Sequence, residues 1–255
     1  MASLKILGVR VDKVDMLEAL CLVDSYIQEG SFHHVITLNA EIIYQAQSNE
    51  ELKDLINGAD LVTPDGSGIV WAAGYLGEPV AERVTGIDLM LEICKQAHHN
   101  GWRIFLLGGA PGVAEEAAQA LKKDQPNINI VGTHHGYFQQ REEEAMLAQI
   151  RKAEPDLIFV ALGAPRQEFW IRAHREQLPV KIAIGVGGSF DVVSGRVKRA
   201  PLWMQKMKLE WLARLLKEPW RFKRMLSLPK FVLMVIKSKS ELEAKKKLEK
   251  KKKLP

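Results

Sequence analysis

Two cysteines in 255 residues exclude a disulfide framework and a four-thiolate metal site. Cys21 and Cys94 lie in helix-like apolar patterns, outside any metal-spaced or redox motif, and read as reduced core thiols of a cytoplasmic protein. No Asp-x-Asp pair occurs, so a common arrangement for holding a metal against a diphosphate is missing. The seven histidines come as His33-His34, His98-His99, His134-His135 and His174. None has the helical i, i+4 spacing or the cysteine partners of a zinc site. A P-loop and a G-x-S-x-G elbow are also absent. No apolar run is long enough to span a bilayer; the best, residues 225–236, is short and carries Pro229 and Lys230. The opening residues, Met1-Ala2-Ser3-Leu4-Lys5, lack the apolar segment of a signal peptide.

What is present is an ordinary globular share of apolar residues, 47%, which excludes wholesale disorder. The length suits one large α/β domain with an appendage, or two small domains. Charge is divided unevenly. Residues 1–204 hold 19 Lys+Arg against 26 Asp+Glu, a net −7; residues 205–255 hold 17 against 5, a net +12; together they recover the +5 of the whole chain. An acidic body therefore carries a basic tail, and both anionic lipid and nucleic acid answer to such a tail.

Short β-branched runs alternate with amphipathic stretches. Strands are expected at residues 34–38, 60–63, 103–107, 128–131, 157–162 and 181–186. Helices are expected at 16–29, 41–57, 69–76, 87–99, 113–123, 142–153 and 166–177. Strands apolar throughout, alternating with helices, predict a Rossmann-like α/β fold: a mostly parallel sheet with helices on both faces. Composition shifts near Gly195–Pro201, and Trp203, Trp211 and Trp220 follow in a basic stretch. The expected organisation is a catalytic α/β domain over residues 1–200 and a C-terminal helical appendage over 201–255. On a helix, Lys206, Glu210, Arg214, Lys217 and Arg221 fall opposite Met204, Met207, Trp211, Leu212, Leu215 and Leu216. That pattern suits an interfacial membrane helix and equally a helix docked on the body. Residues 245–253, rich in lysine, read as a disordered or frayed helical end.

In a parallel α/β sheet ligands gather at the carboxyl ends of the strands. Gly108-Gly109-Ala110-Pro111-Gly112 turns from a strand into a helix, where backbone N–H groups and the helix dipole suit a diphosphate. The spacing is not G-x-G-x-x-G, and no acid occurs between Asp124 and Glu142 to hold a ribose, which excludes NAD. Asp65, in Thr63-Pro64-Asp65-Gly66, stands just past a strand in a shaped turn; a general base and an Asx-type turn or cap both fit it. Thr37 and Asn39 would point the same way from one strand end, toward a sugar or phosphate or as strand-end caps. Arg166 and Gln167 open a helix where they can reach a ligand or solvent. Gly187-Gly188-Ser189-Phe190-Asp191 implies a close backbone approach, to a ligand or to another segment. Arg83, before a helix, can neutralise a phosphate or pair with an acid.

Taken in order, Thr37-Leu38-Asn39-Ala40, Thr63-Pro64-Asp65-Gly66, Glu82-Arg83-Val84-Thr85-Gly86, Phe105-Leu106-Leu107-Gly108-Gly109, Leu162-Gly163-Ala164-Pro165-Arg166-Gln167-Glu168 and Gly185-Val186-Gly187-Gly188-Ser189-Phe190-Asp191 resemble the WecG/TagA/CpsF glycosyltransferases. Glu218-Pro219-Trp220-Arg221 resembles that family's C-terminal signature. The likeness runs from about Leu4 to Arg224 and is greatest to the branch that builds the wall teichoic acid linkage unit. It implies an inverting transfer of N-acetylmannosamine from UDP to the 4-hydroxyl of N-acetylglucosamine on diphospho-undecaprenol, with no cofactor and no metal. It implies Asp65 as base and Thr37, Asn39, Arg83 and Gln167 in the pocket, beside the residue-based candidates Gly108, Gly109, Gly187, Gly188 and Asp191. It implies that Arg214, Arg221 and Arg224 engage the lipid diphosphate as the appendage folds over the site. The expected partners are a UDP-sugar, the undecaprenyl-diphosphate acceptor and an anionic membrane surface, without nucleic acid and with room for a homo-oligomer. The expected location is the cytoplasmic face of the cell membrane. A related transferase using another UDP-hexose, a non-catalytic UDP-sugar sensor and a nucleic-acid-binding module remain as alternatives.

Overall fold

A computed structural model describes residues 1–201, 203, 204, 207 and 226–252. Its centre is a six-stranded parallel sheet built from β3 (His33–Leu38), β4 (Leu61–Pro64), β5 (Arg103–Gly108), β6 (Asn129–His134), β7 (Leu157–Ala161) and β8 (Ile182–Gly185). The spatial order is β4-β3-β8-β7-β5-β6, with every neighbouring pair parallel. The expected α/β class and the parallel sheet are both present. The six expected strands are there, each within a few residues of its predicted bounds.

The inner strands β3, β7 and β8 are buried along their whole length, because helices cover both faces. Successive side chains alternate between two apolar layers, as a two-residue period demands. Val35, Leu157, Phe159, Ile182 and Ile184 pack with α1 (Met16–Glu29), α5 (Gly86–Asn100) and α6 (Val113–Asp124). On the opposite face, Ile36 and Leu38 pack with α2 (Ala40–Ala46), α3 (Glu50–Asn57) and α4 (Ser67–Tyr75). Ile158 and Val160 lie on that face too, under α7 (Gln140–Ala153) and α8 (Arg166–Ala173).

Several elements depart from the expectation. A hairpin of β1 (Ser3–Ile6) and β2 (Val9–Asp12) precedes the sheet, turning through Leu7 and Gly8, both at positive φ. Its four-residue strands are too short for a periodicity signal. The single helix expected over 41–57 is two, α2 and α3, because Asn49 leaves the helix and accepts a hydrogen bond from Leu52 N at 3.0 Å, starting a new one. The helix expected over 166–177 ends at Ala173. A short α9 (Ser189–Val193) follows the glycines after β8.

The last helix, α10 (Ser227–Lys252), carries the lysine-rich end in helical form through Lys252. Pro229 does not block it, since a proline in the first turn removes no intrahelical bond. α10 lies against α2 and α4, where Phe231 and Val235 are fully buried in the same cluster as Ile36 and Leu38. Lys239 Nζ donates to Tyr75 O at 2.6 Å and sits 4.3 Å from the Tyr75 ring centre. The amphipathic stretch expected around Trp211, with Arg214, Arg221 and Arg224, lies outside the described residues. Among the described residues, no helix is long and apolar enough to cross a membrane.

Candidate active site

A cleft of about 700 Å³ opens at the carboxyl ends of the parallel strands, within the size range of small-ligand sites. Thr37, Asn39, Asp65, Arg83, Gly109, Gln167, Gly187, Gly188 and Asp191 all line it. Residues spread over 150 positions of chain converge because β3, β4, β5, β7 and β8 end on one edge. Gly108 ends β5, one residue behind Gly109.

The floor is held by the protein itself. Asp65 follows β4, and its backbone N–H donates to Leu38 O at 2.9 Å. One carboxylate oxygen, Oδ2, accepts from Gly86 N at 3.2 Å. Gly86 opens α5, so this carboxylate faces the positive end of a helix. A Cβ on Gly86 would stand 2.9 Å from Thr37 Oγ1, so only glycine lets α5 start this close to β3. The Thr37 hydroxyl donates to Gly185 O at 2.9 Å and ties β3 to β8. Asn39 Oδ1 accepts from Ile42 N at 3.1 Å and caps α2. Gln167 is buried: its Oε1 accepts from Gly187 N at 3.0 Å and its Nε2 donates to Glu168 Oε1 at 2.9 Å. Thr37, Asn39 and Gln167 therefore combine a place in the cleft wall with a structural bond. The capping role that the sequence allowed for Asn39 is realised.

The glycine turn after β5 is tied down as well. Gly109 N donates to Ala161 O at 3.0 Å, and Gly109 O accepts from Gly136 N at 2.8 Å. The first turn of α6 carries Glu115 and Glu116. Arg196 grips Glu116 through two bonds of 2.7 Å and holds its carboxyl below the usual range. Acidic side chains thus already answer the positive end of α6.

The other charged residues at the cleft, Arg166 apart, carried no signal that set them apart in the sequence. Arg199 follows the glycine-rich turn and forms a bidentate pair with Asp88, at 2.6 and 2.9 Å. Thr85 caps α5 and donates to Asp88 Oδ2 at 2.6 Å. Burial alone would raise the Asp88 carboxyl. The hydrogen bonds from Arg199 and Thr85, with the charges of Arg199 and Arg83, outweigh it and hold the group below its ordinary range. Arg166 and Lys198 add further positive charge to the lining. Spatial neighbours 111 residues apart, such as Asp88 and Arg199, leave no trace in local spacing. Glu168 was visible only as part of a motif. It is fully buried, which pushes its carboxyl up to about 7 against the lowering effect of the Gln167 bond, and its Oε2 has no hydrogen-bond partner.

Chemically, the cleft sets carboxylates, including Asp65 and Asp191, beside the basic groups Arg83, Arg166, Lys198 and Arg199. Such a site can bind an anionic organic ligand and take a proton from a hydroxyl. Fold and cleft together define an α/β protein with a charged ligand site at the carboxyl edge of a parallel sheet. The chain belongs to the Glycosyl transferase WecG/TagA/CpsF family, whose model matches residues 4–245. It is 39% identical over 213 residues to a protein of Bacillus spizizenii, covering 84% of this chain and 82% of the relative. It is 38% identical over 247 residues to one from Staphylococcus aureus strain MRSA252, covering 96% of each. A Bacillus subtilis relative is 40% identical over 212 residues, covering 83% of this chain and 82% of its own. All three relatives are named N-acetylglucosaminyldiphosphoundecaprenol N-acetyl-beta-D-mannosaminyltransferase.

Proposed function

We propose that this chain transfers N-acetylmannosamine from UDP-N-acetylmannosamine to the 4-hydroxyl of N-acetylglucosamine on diphospho-undecaprenol, the step that builds a teichoic acid linkage unit. The observation that carries this reading is the Asp65 carboxylate, pinned at the start of α5 in a cleft also lined by Arg83 and Arg199. The names of the relatives support the choice of donor and acceptor.

The reaction is a single displacement. Asp65 takes the proton of the acceptor 4-hydroxyl as that oxygen attacks the anomeric carbon. The bond from that carbon to UDP breaks on the opposite side, and the electron pair leaves with the diphosphate. Arg83, Arg199 and Lys198 stabilise the departing charge in a partly dehydrated cleft. Thr37, Asn39, Gln167 and the Gly187-Gly188 turn shape the donor side, with Asp191 beside them. Arg214, Arg221 and Arg224 complete the site from the appendage and grip the lipid diphosphate bidentately, as lysine cannot. The basic tail brings the enzyme to the inner face of the membrane. On α10, Leu233 and Ile236 are exposed beside Lys230 and Lys237, which suits that role.

The test is incubation with a lipid-diphosphate N-acetylglucosamine acceptor and, in separate reactions, UDP-N-acetylmannosamine, UDP-N-acetylglucosamine and UDP-glucose. Mass analysis should find product with the first donor, with and without EDTA. Product only with another donor would replace the substrate assignment. Binding of UDP-sugar without product would favour a sensor.

A further inference from the structure

Glu168 presents a puzzle that the transfer chemistry does not absorb. It stands in the first turn of α8, has no exposed surface, and does not line the cleft. Its Oε2 has no hydrogen-bond partner, which is costly for a buried carboxyl group. An apolar residue of similar size would fill the same space without that cost. Its one side-chain bond to a neighbour, from Gln167 Nε2, points to what it does.

The Gln167 side chain is packed against β8 so closely that a Cβ on Gly185 would stand 2.5 Å from Nε2 and 3.1 Å from Glu168 Oε1. An amide in that space has two orientations of nearly equal shape and opposite hydrogen-bonding sense. Glu168 Oε1 accepts from the Nε2 end, while the Oε1 end accepts from Gly187 N. A flipped amide would set oxygen against the Glu168 oxygen and NH2 against the Gly187 N–H, losing both bonds together. With an acceptor oxygen toward Gln167 Nε2, the carboxyl supports the same orientation that the Gly187 N–H requires. That orientation anchors the turn that carries Gly187, Gly188 and Ser189 at the cleft wall, with Asp191 and Val192 just beyond.

We propose that Glu168 is a positioning residue: from behind the cleft it fixes the Gln167 amide, and through it the Gly187-Gly188 turn on the donor side of the cleft. The inference rests on the donor-site reading above. It gives Glu168 an effect on donor affinity without contact to the donor, exerted only while Gln167 is present.

The experiment measures UDP affinity by calorimetry, together with melting temperature, for the full chain and for Glu168→Met, Gln167→Met and the double variant. Glu168→Met should weaken UDP binding about tenfold, the scale of one lost buried hydrogen-bond partner. Its melting temperature should stay within a few degrees of wild type, because removal of an unpartnered buried acid offsets the acceptor that Gln167 Nε2 loses. On the Gln167→Met background the same change should have no further effect on affinity, since the group it acts through is gone. Glu168→Gln keeps an oxygen acceptor and should stay within about threefold of wild type. If Glu168→Met does not fold, Glu168→Asp replaces it in the same cycle; it keeps the charge, retracts the acceptor by one methylene, and should again weaken binding only when Gln167 is present. Unchanged affinity in the variant that folds, or an equal loss on both backgrounds, would overturn the proposal and leave the donor site standing. Failure of wild type to bind UDP would instead overturn the donor-site reading, and this inference with it.

Discussion

At the scale of single residues, the floor of the cleft is held by the protein's own hydrogen bonds. Asp65 leans on Gly86 N, Thr37 on Gly185 O and Gln167 on Gly187 N. Such preorganisation is what a general base needs, since its direction must be set in advance. Asp65→Asn keeps the size and can keep the Gly86 bond, but it cannot take a proton. We expect UDP binding to persist and transfer to fall about 10²–10⁴-fold; turnover near wild type would remove Asp65 from the role. The buried titratable groups make a separate prediction. Glu168 is raised from its ordinary 4.5 to about 7, and burial lowers His34 from 6.5 to about 4. Between pH 4.5 and 7 the folded chain holds a proton on Glu168 that the unfolded chain has lost, so this group makes stability fall as pH rises. Between pH 4 and 6.5 the unfolded chain holds a proton on His34 that the folded chain lacks, so this group makes stability rise. The two slopes oppose each other over most of the window, each worth about 3 kcal/mol in full. Glu168→Gln removes one of them. Its stability relative to wild type, from urea denaturation, should climb by a few kcal/mol between pH 4.5 and 7. A difference that does not change with pH would show that Glu168 titrates normally. The motif residues of this site were legible one by one, because each follows a strand with turn chemistry around it. Their bonds to one another were not, nor was the Asp88–Arg199 pair, because these join positions far apart in the chain.

At the scale of elements, the parallel sheet was legible because its strands are apolar on both faces and bounded by turn residues. The hairpin β1–β2 was not, since four residues are too few to establish a period. The break between α2 and α3 was hidden for a different reason. Helical apolar spacing continues across it, and only Asn49 reveals a second start. α10 shows tertiary packing deciding what local sequence left open. Its lysine-rich end reads as frayed, yet its first turns bury Phe231 and Val235 against α2 and α4. Phe231→Ala should therefore destabilise the whole body by about 3–5 kcal/mol, lowering the melting temperature by roughly 10 °C. A change under about 2 °C in differential scanning calorimetry would mean that α10 adds nothing to the core.

At the scale of the whole molecule, charge is segregated along the chain. The body to residue 204 is net −7 and the remainder +12. Attraction to an anionic leaflet must therefore come from the C-terminal part, at about 1 kcal/mol per basic residue near the surface. Deleting the chain after Ala200 would also strip Phe231 and Val235 from the core, so replacing the lysines of residues 245–253 with glutamine is the cleaner test. Co-sedimentation with phosphatidylserine-containing vesicles should fall in that variant, and fall with salt in wild type without vanishing. Equal sedimentation of the two proteins at every salt concentration would remove the tail from membrane attachment. The central claim is a single displacement at the anomeric carbon, with Asp65 as the base and UDP leaving on the far side. It is tested most directly by the anomeric configuration of the new linkage, read from the one-bond carbon–proton coupling at C1 of the transferred sugar. The account predicts a configuration opposite to that of the sugar in its UDP donor. Retention of the donor's configuration would contradict it, because that outcome requires a second displacement and a different role for the carboxylate.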